Sequence, residues 1–300
     1  LFTLLLLSKE LGNVHLHFDS SLWKKVMNYS YPLIIVGLGG MINEMLSRLV
    51  YVRVLDLPKE EELRQLGIFG ANYKLAVLIT IFIQVFRMAA EPFFFNQSKE
   101  KNAPQTYARV MKFFVIACCL MWIVIVTNLE LIKYFGYGNN AEAYSDGLII
   151  IPILSMASVF LGIYYNLSVW YKLTNRTLTG AWITLAGAVI TILLNIWWIP
   201  IFGYVGSAWA TLVCYAFMMI SSYLLGQKHY HISYPVKKLF AYISTVVLMF
   251  CIHYAINSFY NNIYLSTILS LVLISLFILL IIRVEKRELQ KLPMFAKYIK

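Results

Sequence analysis

The chain has 300 residues, 60% of them hydrophobic and 13% charged, and a formal net charge of +11. This composition excludes an ordinary soluble domain. The apolar residues fall in runs of about 20, the length that crosses about 30 Å of hydrocarbon at 1.5 Å per residue. The charge distribution argues against nucleic acid as the reason for the basic character.

In chain order, the opening run Leu1-Phe2-Thr3-Leu4 is too short to span and has no basic region before it, so it does not look like a signal peptide. Residues 1–7 read as the end of a truncated preceding transmembrane helix, and the chain as a C-terminal portion of a longer protein. In 8–30, Phe18, Leu22, Trp23, Val26 and Met27 fill one apolar arc while Lys24 and Lys25 lie outside it. That pattern predicts a cytoplasmic amphipathic segment lying on the membrane surface, with Pro32 in the first turn of the helix that follows. Spans are expected at 31–54, 71–95, 107–128, 147–170, 178–199, 204–225, 238–257 and 263–282. The fold class is therefore all-α: a polytopic transmembrane bundle of about eight spans. The loop near 55–69 reads as a solvated helix start with Glu60, Glu61 and Glu62 at its N-terminus. Leu129–Phe135 reads as a short apolar cap.

With these spans, one side receives eighteen of the 25 Lys and Arg and the other receives five, Arg48 and Arg87 lying inside spans. The lysine-rich side is expected to be cytoplasmic, and it carries the C-terminus and the basic tail 284–300. The opposite side has seven acidic groups and a net charge of −2. No extramembrane segment is long enough for a domain, so function is expected within the membrane.

Two pairs of charges sit inside apolar spans, each four residues apart: Glu44 with Arg48, and Arg87 with Glu91. At the centre of a spanning helix, Arg, Lys or Asp costs roughly 2.5–3.5 kcal/mol on insertion scales. An i,i+4 ion pair returns only about 0.2–0.5 kcal/mol. Such groups are expected to face a watery cavity, another helix or a charged ligand. At 100° per residue, Gly37, Met41, Glu44, Arg48 and Tyr51 share one face; Tyr73, Val77, Thr80, Gln84, Arg87, Met88 and Glu91 share another. Arg suits bidentate pairing with phosphate or carboxylate. A carboxylate in low dielectric can gain a proton, which makes Glu44 and Glu91 counter-charges or coupling groups. The alternative is that all four charges merely hold helices together. Two stripes of small residues, Gly180, Thr184, Gly187, Thr191 with Asn195, and Ser155, Ser158, Gly162, Asn166, read either as close helix packing or as a weakly polar cavity wall. Cys118, Cys119, Cys214 and Cys251 lack ligand spacing and read as reduced apolar residues. His15/His17 and His229/His231 read as interfacial histidines, so no metal site and no cofactor is expected.

Three stretches carry a resemblance. Residues 32–44, Pro-Leu-Ile-Ile-Val-Gly-Leu-Gly-Gly-Met-Ile-Asn-Glu, then Arg48, resemble the seventh helix of bacterial polysaccharide flippases. Asn72-Tyr73-Lys74-Leu75-Ala76 and Phe86-Arg87-Met88-Ala89-Ala90-Glu91-Pro92-Phe93 resemble their eighth. Residues 195–211, Asn-Ile-Trp-Trp-Ile-Pro-Ile-Phe-Gly-Tyr-Val-Gly-Ser-Ala-Trp-Ala-Thr, resemble the turn between their eleventh and twelfth. These flippases are the O-antigen and capsule exporters of the multidrug/oligosaccharidyl-lipid/polysaccharide superfamily. The resemblance implies that 31–225 form a six-helix C-terminal lobe and 226–283 two additional helices, with the N-terminal lobe absent. It implies translocation of undecaprenyl-pyrophosphate-linked oligosaccharide across the bacterial inner membrane, for polysaccharide and lipopolysaccharide biosynthesis. Arg48, Arg87, Gln84 and Lys74 would meet substrate; partners would be the lipid-linked oligosaccharide, membrane lipids, a coupling ion (H+ or Na+) and the missing lobe. Alternatives are a lipid II flippase, a multidrug/cation antiporter of the same superfamily and, remotely, a membrane glycosyltransferase or polymerase. An enzyme is not expected, because no Ser/His/Asp set, metal cluster or phosphate-binding G-x-x-x-x-G-K appears.

Overall fold

A computed structural model describes residues 18–54, 58–137, 142, 144–260 and 262–290; for 41–44, 46–49, 51–54 and 134–137 it describes the backbone alone. The described chain is all-α. Its helices are α1 (Ser20–Val54), α2 (Lys59–Gln97), α3 (Ala103–Thr127), α4 (Leu129–Tyr137), α5 (Ile150–Leu167, preceded by a 3-10 turn at Ser145–Ile149), α6 (Val169–Leu173), α7 (Thr177–His229), α8 (Val236–Tyr260), α9 (Ile263–Val284) and α10 (Lys286–Leu289). Six helical segments among the described residues are long and apolar enough to cross a membrane: α2, α3, Ser145–Leu173, α7, α8 and α9.

Local chemistry sets the helix ends. The Asp19 carboxylate accepts from the backbone N–H of Ser21 and Leu22 at 2.8 and 3.1 Å, which caps α1. Starting there, α1 runs without interruption past Pro32. The expected boundary between a surface segment and a span beginning at Tyr31 is therefore absent: the cap moves the helix start to Ser20, and Pro32 forgoes one backbone bond inside a 35-residue helix. Likewise α2 begins at Lys59, twelve residues before the expected span, with Glu60, Glu61 and Glu62 in its first turn where the helix dipole favours anions. Glu61 also accepts from Arg64 at 2.8 Å and from Gln65 at 2.8 Å. Asn262 caps α9, accepting from Tyr264 N–H at 2.9 Å.

Although its helical hydrogen bonding is nearly continuous, α7 is a hairpin. Gly203, with φ 57° and ψ −139°, breaks it into limbs 177–202 and 204–229. A Cβ on Gly206 would lie 2.6 Å from the carbonyl oxygen of Trp198, so a side chain there would prevent the limbs from closing. Further along, the Cys214 thiol lies 3.2 Å from the carbonyl oxygen of Gly187. Pairs 198/206 and 187/214 share a midpoint near 201, as antiparallel limbs require. The break falls between the expected spans 178–199 and 204–225.

The centre of the bundle is α5, with fifteen of its eighteen residues buried. It packs on α7, α2 and α3; α7 in turn carries α1, and α3 carries α8 and α9. Both small-residue stripes lie in these contacts. Tyr164 Oη meets Thr184 Oγ1 at 3.1 Å, Ser158 Oγ meets Thr80 Oγ1 at 3.0 Å, and Gly162 abuts Phe114 and Ile83. At the end of α9, Glu285 is buried and accepts from Lys112 (2.5 Å), Tyr242 (2.6 Å) and Lys238 (2.8 Å), joining α9 to α3 and α8. Cys118, Cys119 and Cys214 are free and buried, and Cys251 is free and exposed.

Candidate functional site: a cationic cavity between diverging helices

Because α1 leans on α7 and α2 leans on α5, the two helices make little contact with each other. The gap between them is a cavity of about 990 Å³. One wall is α1, with Tyr29, Leu33, Val36, Gly37 and Gly40. Opposite stand Gln84, Arg87, Glu91 and Phe95 of α2, and the floor is Tyr165, Ser168, Tyr171 and Lys172 from the end of α5 and from α6. The volume suits a drug-sized ligand or larger.

The α2 stripe behaves as its period requires. Gln84, Arg87 and Glu91 come together on the cavity side, while Ile83, Ala90 and Phe94 of the same helix are buried in the core. Arg87 Nε donates to Glu91 Oε1 at 2.9 Å, and its guanidinium lies 4.6 Å from the Tyr165 ring centre, a cation–π distance. Lys172 Nζ donates to the same oxygen, Glu91 Oε1, at 2.6 Å. These three supply the formal charges among the described lining residues, a net of +1.

Lys172 reaches the cavity because the chain bends just after it. Helix α6 extends α5 past Ser168 and stops at a turn in which Asn175 adopts φ 56°, a conformation that Asn tolerates better than most residues. That turn sends the chain into α7. The Lys172 side chain is only 12% exposed and points at the carboxylate.

The Arg87–Glu91 pair by itself adds little to the stability of α2. An exposed i,i+4 pair contributes a few tenths of a kcal/mol, and Arg87 and Glu91 side chains are 39% and 35% exposed. The sequence order, cation before anion, is the weaker one on a helix. Chemically, the group is two cations converging on one oxygen, with an aromatic ring beneath the guanidinium. That geometry suits anions with several oxygens.

Of the residues singled out from sequence, Gln84, Arg87 and Glu91 line the cavity together. Lys74 is exposed ten residues before Gln84, about 15 Å along the helix, and does not line it. Glu44 and Arg48 lie on the path of α1, but their side chains lie outside the described residues. Sequence reasoning missed Lys172, Tyr165 and Tyr171. Lys172 counted only as one of many basic residues between two spans, and the available signal was its adjacency to an aromatic-rich end, Tyr164-Tyr165 and Trp170-Tyr171. The small-residue stripes are core contacts and not walls of this cavity.

Compared with known proteins, the chain matches no family model, no curated protein and no solved structure.

Proposed function

We propose that the chain is part of a transporter that moves a large amphiphilic anion across a membrane, and specifically a lipid-linked oligosaccharide joined through pyrophosphate to undecaprenol. The observation that carries this reading is the cavity between α1 and α2, large, sided by apolar helices and bearing Arg87 and Lys172 against a single carboxylate. A net positive lining favours phosphate over an organic cation, which is the reason to prefer this class to a cation antiporter. Tyr29 and Tyr165, both partly exposed on the lining, offer ring faces and hydroxyls suited to sugars. The outward faces of α8 and α9, with Leu248, Ile252, Ile268, Leu271, Leu276 and Leu279 exposed, supply a hydrocarbon surface beside which a polyprenyl tail fits.

In this reading the lysine-rich ends face the cytoplasm of a bacterial inner membrane, and the cavity opens within reach of that side: Arg87 is ten residues, about 15 Å, from the end of α2 at Gln97. The process is transport and not glycosyl transfer; the product would be surface polysaccharide or lipopolysaccharide.

The test is export in a flippase-deficient bacterial strain expressing the full-length protein. Arg87→Gln combined with Glu91→Gln sheds both charges of the α2 pair, and the substituted amide at position 91 keeps an oxygen for Lys172 to donate to. The double variant is expected to reach the membrane at the normal level and to lose surface glycan. Normal export at matched protein level would remove Arg87 from the site and with it the basis for a phosphate-bearing substrate.

A further inference from the structure

We infer that Glu91 is an internal stand-in for the substrate's phosphate, and that Lys172 is the second cation of a two-cation phosphate site from which bound phosphate displaces the Glu91 carboxylate. The inference deepens the function proposed above and rests on it.

The geometry carries the argument. Arg87 and Lys172 come from different helices, α2 and α6, and both donate to Glu91 Oε1, at 2.9 and 2.6 Å. A carboxylate placed only to neutralise Arg87 within α2 has no need of Lys172. A lysine placed only to reach solvent has no need to be nine-tenths covered while holding that oxygen. Two cations brought to one oxygen from separate elements describe a pocket shaped for a polyoxygen anion, with the carboxylate filling it. Arg87 meets the carboxylate through Nε alone; its Nη nitrogens have no acceptor among the described residues, and the guanidinium lies over the Tyr165 ring. The fork thus has donors left over for a second anion.

Charge counting gives the direction. Two cations and one carboxylate leave +1, whereas the diester pyrophosphate of a lipid-linked sugar carries about two negative charges. With both anions present the cluster is overfilled by one, so the weaker partner leaves. The carboxylate is the one able to go: its side chain is about one-third exposed, at the edge of the cavity.

The consequence separates this inference from a purely structural role. If Glu91 competes with phosphate, removing its charge strengthens anion binding; if it merely orients Arg87, removing it weakens binding. The probe is inorganic pyrophosphate, titrated by calorimetry against the full chain purified in detergent. Glu91→Gln keeps an oxygen for both donors and is expected to bind pyrophosphate about tenfold more tightly than the unaltered protein, the effect of one competing charge-assisted bond. Lys172→Gln is expected to bind about tenfold more weakly. Glu61→Gln, with the same charge change about 45 Å away along α2, controls for net charge and is expected to change nothing.

Equal or weaker binding by Glu91→Gln, or equal tightening by Glu61→Gln, overturns the inference, while binding by the unaltered protein leaves the transport reading standing. Should Glu91→Gln not survive purification, Lys172→Gln alone decides: unchanged pyrophosphate affinity overturns the two-cation site. Absence of pyrophosphate binding in every variant also overturns it, and the export assay of the Arg87/Glu91 double variant then reports independently on the function.

Discussion

Replacing Glu285 by Gln should loosen the attachment of α8 and α9 to the rest of the bundle. The side chain of Glu285 is 1% exposed, and its two oxygens accept from Lys112, Lys238 and Tyr242 within 2.5–2.8 Å. Lys112, itself 6% exposed, would keep a single carboxylate among the described residues, Glu288 at 3.3 Å, with the Phe113 ring centre 5.3 Å away. Removing one partner of a buried ion pair costs about 3–5 kcal/mol, because the other charge stays behind uncompensated. The same contacts, read through proton linkage, give a similar figure. Burial alone would raise the Glu285 carboxyl, but the hydrogen bonds from Lys112, Lys238 and Tyr242 outweigh it and hold the group at about 2 against its ordinary 4.5, worth about 3 kcal/mol of native stability. Since the folded value is the lower one, this contribution is complete above about pH 4.5 and fades as the pH falls toward 2. Thermal unfolding in detergent, followed by tryptophan fluorescence, should show Glu285→Gln melting roughly 5–10 °C lower at pH 7. The unaltered protein should lose most of that advantage between pH 5 and pH 3, while the variant's melting changes less over the same window. A variant within 1 °C of the unaltered protein at pH 7, or parallel acid curves for both, would refute the assignment of this cluster as the main tie.

Arg87→Lys should restore export only in part, because a point charge lacks the fork that grips two oxygens; full export would show that charge alone suffices. Tyr165→Leu removes the ring under the Arg87 guanidinium, and a cation–π contact of about 0.5–2 kcal/mol predicts a several-fold loss of pyrophosphate affinity with little change in melting. Gly206→Ala places a Cβ 2.6 Å from the Trp198 carbonyl oxygen; overpacking against backbone should cost about 1–3 kcal/mol, read as a lowered melting temperature. Cysteines introduced at positions 60 and 174 should label from opposite sides of the membrane, with 174 reached from the cytoplasm; labelling of both from outside intact cells would reverse or break the topology.

Much of the architecture was legible because a bilayer-crossing helix leaves a coarse signal: long apolar runs with charges at their ends. The break of α7 could be placed near Gly203 because a Pro-x-x-Gly stretch, Pro200 to Gly203, interrupts otherwise uniform hydrophobicity. Helix starts were less legible. A single capping carboxylate at Asp19 extended α1 through Pro32, and such local hydrogen bonds are invisible to a hydropathy window. At the site, periodicity placed Gln84, Arg87 and Glu91 on one face, since i, i+3 and i+4 geometry is fixed within a helix. It had no means of adding Lys172, eighty-one residues later than Glu91. Nor did composition distinguish Lys112 or Glu285 from the other charges at the ends of spans. Which of these charges folds inward is a property of tertiary contacts.

The two charged clusters differ in a way that bears on which one acts on a ligand. Glu285 is enclosed, and each of its oxygens has a short contact: Oε1 with Lys238 and Tyr242, Oε2 with Lys112. Displacing it would leave the buried Lys112 with only its longer contact to Glu288, at 3.3 Å. No incoming anion can make that exchange without dismantling the junction of α3, α8 and α9. Glu91 is the opposite case. Its two cationic partners crowd one oxygen at the rim of a 990 Å³ cavity, and all three groups have a way out to solvent. Substituting a phosphate oxygen for Oε1 keeps both cations satisfied and lets the carboxylate regain water. A transported ligand must be held and then released, which calls for a site whose empty state is already partly neutralised at modest cost. The triad at the cavity rim, with Arg87 and Glu91 partly exposed, meets that requirement, and the buried cluster provides the fixed frame beside it.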